Sequence, residues 1–225
     1  MTIVKRPKDQ LLFEGVQIVF GAVRPPNHSP KHSNPAGPNL GKNFDVALAY
    51  ASELHREQRR KGTAIPYVSH LLAVCSLALE MGADEDQAIA ALLHDAVEDQ
   101  GGAPRLAEIR ARFGDRVARI VHDCTDWDGA GPRPPWRERK QAYLDALTVK
   151  PADSLLVVLA DKTHNARAIV DDFALHGAAL WDRFNAGRDE VMWYYGALAE
   201  AFTRSLPGAG AARLGKLVEQ MAELE

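Results

Sequence analysis

His94, Asp95, Glu98 and Asp99 place one imidazole and three carboxylates at the end of an apolar run, Leu92-Leu93, and just ahead of Gly101-Gly102. Imidazole nitrogen and carboxylate oxygen are the ligands that Mn, Fe or Zn accept. An ion so held polarises a phosphoryl oxygen and lowers the pKa of bound water. Read as the end of one helix, the run sets three acids against the negative end of the helix dipole, where they repel one another unless a cation compensates them. A His-Asp pair alone reads more simply as a hydrogen-bonded core histidine beside a solvent-facing acid. Glu98 tips the balance, because one turn from His94 it brings a third acidic group to the same face.

Two further residues fit the same chemistry. His70 lies in line with Ala73, Val74 and Leu77 at helical spacings, so it points into the core. On its own it reads as a satisfied core histidine. Asp161 directly follows six apolar residues, Leu155 to Ala160, and a helix that buries those tends to bury the next turn. An unpaired buried carboxylate costs several kcal/mol, so Asp161 needs a metal, Lys162 or Arg167 as partner. The run Arg59-Arg60-Lys61 could bind phosphate by charge-assisted hydrogen bonds, and equally could be an ordinary solvated helix end.

The elements that must position these residues are helical. From Asn43 onward apolar residues recur at spacings of three and four, which predicts an all-α body in one domain, 43–225. Phe44, Ala47, Leu48, Ala51 and Leu54 form one face of a first helix. A second runs from Pro66 to Gly82, and Asp84 with Gln87 makes a capping box for the helix carrying the acidic cluster. Shorter helices cover 107–113 and 116–124, joined at Gly114. A Gly- and Pro-containing loop precedes a helix over 136–147. The helix bearing Asp161 follows, then helices over 178–184, 190–205 and 211–225. Residues 1–42 carry an apolar segment, 11–20, and a tract with five prolines that excludes regular helix; they read as an arm or linker.

Composition narrows the classes of function. With 27 basic and 30 acidic residues and a net charge of -3, there is no global nucleic-acid footprint, though a local basic patch for a small anionic ligand is allowed. Cys75 and Cys124 match no zinc or redox spacing and read as reduced core residues. The chain has no apolar stretch of transmembrane length, and its N-terminus lacks a signal-peptide apolar region. The protein is expected to be cytoplasmic, with no membrane or nucleic-acid partner; monomer and homo-oligomer are both compatible with the sequence.

Pro66-Tyr67-Val68-Ser69-His70, Leu92-Leu93-His94-Asp95-Ala96-Val97-Glu98-Asp99 and Leu159-Ala160-Asp161-Lys162-Thr163-His164-Asn165 resemble, in order and spacing, the HD-superfamily hydrolase domain of RelA/SpoT-type proteins. The basic run before Tyr67 matches too, and the likeness spans about 43–205. The resemblance implies a helical bundle with a central metal site, with His70, His94, Asp95 and Asp161 as ligands and manganese as the ion. It implies that Glu98 and Asp99 orient and activate the attacking water, that Arg60, Lys61 and Asn165 hold a small nucleotide substrate, and that Lys162 supports them. The implied reaction removes the 3′-pyrophosphate of guanosine tetra- and pentaphosphate in a stand-alone hydrolase. The rivals are another HD phosphohydrolase, acting on an adenine alarmone or the 2′-phosphate of NADPH, and a catalytically silent nucleotide-binding module. Leu71 stands where the family has proline, and the loop 126–137 departs from the pattern in a place expected to touch the substrate.

Overall fold

In a computed structural model, residues 39–127 and 129–224 are described. The expectation for 1–42 falls outside them except at its last four positions. The described residues form helices joined by turns and two longer loops, 55–67 and 125–135, with one isolated antiparallel bridge, Arg59 to Pro66, and no strand. None of these helices is long and apolar enough to cross a membrane.

The helices are α1 (Lys42–Leu54), α2 (Val68–Glu80), α3 (Glu85–Leu93), α4 (Ala96–Gln100), α5 (Gly102–Phe113), α6 (Asp115–Cys124), α7 (Trp136–Leu147), α8 (Ala152–His176), α9 (Gly187–Ser205) and α10 (Ala209–Ala222). The capping box forms: Asp84 Oδ1 accepts from the Gln87 backbone N–H at 3.0 Å, and Gln87 Oε1 accepts from that of Asp84 at 2.9 Å. Ile89, Leu92 and Leu93 of α3 are fully buried, each contributing roughly 1.5–3 kcal/mol. This anchors the helix that delivers His94.

Three expectations need correction. The acidic cluster does not sit at the end of one helix: α3 stops at Leu93, Asp95 takes the bridge conformation (φ -96°, ψ -2°), and α4 starts afresh at Ala96. Glu98 and Asp99 therefore belong to a separate five-residue helix, within both its first and its last turn, and not to the negative end of α3. The basic run is not the end of α1 but a turn beyond it. Arg60 N–H donates to Ile65 O and Tyr67 N–H to Gln58 O, with Gly62 at φ 72°. The segment near 178–184 is a 3-10 helix, Gly177–Arg183, rather than an α-helix.

Two apolar clusters close on α8. Val157 and Ala160 belong to the cluster formed by α1 to α6; Leu155, Val158, Leu159, Ala166 and Ile169 belong to that of α7, α9 and α10. Shared between both halves, α8 holds its polar turn at their junction. Cys75 is buried, Cys124 half-buried, and both are free thiols.

Candidate metal centre

Asp161 lies one turn beyond Val157 on the same face of α8, so it is carried toward α2 and α3. His70 projects from the first turn of α2 and His94 caps the end of α3. The two imidazoles stand edge to face, 5.1 Å between centroids. Asp161 Oδ1 is 3.2 Å from His70 Nε2 and 3.5 Å from His94 Nε2, while Asp95 Oδ2 is 3.4 and 2.9 Å from the same two nitrogens. Buried His70, His94 and Asp161 each offer a ligand atom within 4.8 Å of the others. Asp95 meets both imidazoles from the side.

The surrounding hydrogen bonds orient the rings. His94 Nδ1 is 2.8 Å from the Ala91 carbonyl, which can only accept, so Nδ1 carries a hydrogen and Nε2 is the atom left facing the carboxylates as the one that could ligate an ion. That Nε2 is buried without a hydrogen bond of its own. His70 Nδ1 lies 2.8 Å from His164 Nδ1. Burial, then the neighbouring His70 and Arg60, push His164 down to about 4, so it is neutral and able to accept from His70. Donation by His70 Nδ1 leaves its Nε2 facing the carboxylates as well. His70, His94 and Asp161, with Asp95 beside the two imidazoles, supply the nitrogen and oxygen donors that a divalent transition metal accepts, and an ion there would satisfy the orphaned Nε2.

Electrostatics point the same way. Burial lowers the His94 pKa, but Asp95 and Asp161 outweigh it and hold it well above its usual range. Burial raises both carboxyls, yet His94 and His70 keep Asp95, and Lys162 with the two histidines keeps Asp161, well below theirs. The pocket favours positive charge between its carboxylates.

The remaining expected residues divide into separate roles. Lys162 Nζ donates to Asp161 Oδ2 at 2.7 Å and is itself nearly buried, 14% exposed. It is the carboxylate's counter-ion, and it is absent from the walls of the cavity lined by Arg60, Lys61 and Asn165. Asn165 Nδ2 donates to Asp161 Oδ1 at 2.6 Å, while its Oδ1 accepts from Arg60 Nη2 at 2.9 Å, so the two substrate candidates are tied back to the centre. Their cavity, 450 Å³, also includes Tyr67, His164 and Tyr195.

Glu98 and Asp99 diverge. Asp99 Oδ2 accepts from Gln58 Nε2 at 2.8 Å. Glu98 instead borders a second, cationic cavity of 230 Å³ with Lys61, Arg133, Arg139 and Lys140. Burial raises both pKa values; Asp126 and Asp95 add to the rise at Glu98, and Asp95 at Asp99.

Sequence reasoning missed three participants. Tyr67 Oη donates to Asp95 Oδ2 at 2.6 Å, His164 backs His70, and Arg133 pairs with Glu98 at 2.8 Å. Tyr67 and His164 lay within the motifs already noted, beside ligand candidates; Arg133 had no spacing signal.

These features define an all-α protein built around a cluster of two imidazoles and two carboxylates. Residues 47–192 match the family model described as HD domain, and the chain belongs to that family. It is similar to the guanosine-3′,5′-bis(diphosphate) 3′-pyrophosphohydrolase MESH1 of Homo sapiens, 36% identical over 124 residues that cover 54% of this chain and 66% of that protein. The Drosophila melanogaster MESH1 is 34% identical over 128 residues, covering 55% and 68%. An Aquifex aeolicus protein of the same activity name is 32% identical over 145 residues, 64% of this chain. This chain spans only 19% of the Aquifex protein, and 16% and 15% of relatives from Synechocystis and Streptomyces coelicolor. Among solved structures, a metazoan ortholog of SpoT that hydrolyzes ppGpp superposes with a TM-score of 0.66 at 26% identity, covering 82% of this chain and 98% of that one. A Listeria monocytogenes protein gives 0.61 at 27%, covering 68% and 99%.

Proposed function

We propose that this chain is a metal-dependent hydrolase that removes the 3′-pyrophosphate of guanosine tetra- and pentaphosphate, releasing pyrophosphate and GDP or GTP in the cytoplasm, with residues 43–225 as its catalytic unit. The observation that carries the reading is the grouping of ligand atoms of His70, His94 and Asp161 within 4.8 Å of one another, with Asp95 Oδ2 at 3.4 and 2.9 Å from the two imidazoles. The activities named for the MESH1 relatives and the SpoT ortholog support the substrate.

The four ligand side chains would hold a divalent ion, manganese in this reading, which supplies Lewis-acid polarisation of the phosphoryl group and acidifies water. Tyr67 and Asn165 fix the two carboxylates by hydrogen bonds. His164 keeps His70 in the tautomer that presents Nε2. Glu98, its pKa raised by burial, Asp126 and Asp95, is the general base that takes the proton of the attacking water, and Asp99 orients that water from the Gln58 side. Arg60 and Lys61 bind the nucleotide across the first cavity.

The test is a panel of guanosine tetraphosphate, its adenine counterpart and NADPH, offered to the purified protein with manganese. Turnover of the guanosine alarmone with pyrophosphate as product is the expected result. Preference for either other nucleotide would replace the substrate while keeping the site, and binding without turnover of any would leave a silent nucleotide-binding module.

A further inference from the structure

The loop between α6 and α7 departs from the family's pattern, and it delivers one side chain onto the proposed base. Arg133 Nη2 lies 2.8 Å from Glu98 Oε1, across 35 positions of sequence. The guanidinium also stands over the Trp127 ring, 5.4 Å from its centroid. Pro132 precedes Arg133 and Pro134-Pro135 follow it, which holds the local backbone extended, so movement there belongs to the side chain. That side chain is half exposed at the edge of the cationic cavity.

The other cations of this cavity are already engaged. Arg139 and Lys140 both contact Asp126 Oδ2, and Lys61 donates to Asn185 Oδ1 at 3.1 Å. Arg133 alone is paired with a carboxylate that must be free for chemistry. A guanidinium forks onto carboxylate and phosphate with the same geometry, so one anion can displace the other.

We propose that Arg133 is a substrate-recognition residue that exchanges Glu98 for the pyrophosphoryl group of the substrate. In the free protein it holds Glu98; a ligand bearing a diphosphate draws it away, is bound by it, and leaves Glu98 able to accept a proton. Ligands without a phosphate reaching this cavity leave the base engaged. The proposal deepens the hydrolase reading and rests on it for the role of Glu98.

Calorimetric titration of inorganic pyrophosphate into the metal-loaded protein tests the exchange without turnover, so a protein inactive on every alarmone would still give a readable result. R133Q should weaken pyrophosphate binding by about tenfold, the scale of one charge-assisted contact. E98Q removes the competitor for Arg133 and should tighten it several-fold. In the R133Q background the same Glu98→Gln change should add nothing, because no guanidinium remains to be released. Equal pyrophosphate affinity of R133Q and the unsubstituted protein would overturn the proposal. So would a gain from E98Q of the same size in both backgrounds, which marks simple removal of a negative charge.

Discussion

Replacing Lys162 by Met separates its two roles, support of substrate binding and neutralisation of Asp161. Methionine keeps an unbranched apolar stem and removes the ammonium, which lies 2.7 Å from Asp161 Oδ2 and 5.3 Å from the centre of the Tyr143 ring. At an effective dielectric of about 20, two unit charges at that separation attract by about 6 kcal/mol. Lifting the desolvation cost of the buried ammonium returns part of this, and breaking a buried pair typically costs about 3–5 kcal/mol. For a domain of this size that is a fall in Tm of roughly 6–20 °C. The loss should appear in full in chelator, where Asp161 has only His70, His94 and Asn165 around it. It should shrink when manganese is added, because the ion takes over the compensation of the carboxylate. Thermal melts of K162M and the unsubstituted protein, with chelator and with manganese, measure both quantities. A Tm in chelator unchanged within about 2 °C, combined with a raised KM, would refute the counter-ion assignment and return Lys162 to the substrate.

Asp95→Ala should abolish metal retention and turnover together, measured by elemental analysis and activity on the same preparation; Glu98→Ala should retain the metal and lose about 10²–10⁴ in kcat. Burial, Asp126 and Asp95 raise the Glu98 pKa from its ordinary value, and because a general base must be ionised, activity should fall as pH decreases through that pKa. A kcat/KM profile with no acid limb would contradict Glu98 as base. Asp84→Ala removes the α3 cap and should cost about 1 kcal/mol, a Tm loss of about 2–4 °C, with kcat unchanged in a saturating assay.

The grouping of His70, His94 and Asp161 was legible because its signals are local. Each candidate stands directly beside an apolar stretch whose burial carries it inward, as at Ala160-Asp161 and Leu93-His94, and helical spacing predicts those faces. The capping box at Asp84 was legible for the same reason. The break at Asp95 was not, since Ala96 and Val97 are fully buried and extend the apolar pattern of α3 without interruption. What singles out Asp95 is tertiary, a hydrogen bond from Tyr67 across 28 positions. The partner of Asp161 was one of three candidates until geometry placed Lys162 there, and the Arg133 contact joins a Gly- and Pro-containing loop to a distant helix, where no periodicity applies.

That break changes what the acidic cluster can do. On an unbroken helix adjacent side chains diverge by about 100°, so His94 and Asp95 would share an ion only at the edge of their reach. Ending α3 at His94 and turning the chain at Asp95 brings Oδ2 to 2.9 Å from His94 Nε2 and within 3.4 Å of His70 Nε2. Restarting as α4 then sends Glu98 and Asp99 to different neighbours, one toward Arg133 and the phosphate-sized cavity, the other toward Gln58. The two acids are therefore not interchangeable. In the proposed reaction Glu98, on the cavity it shares with Arg133, is the base, and Asp99, held by Gln58, is the residue that orients the water.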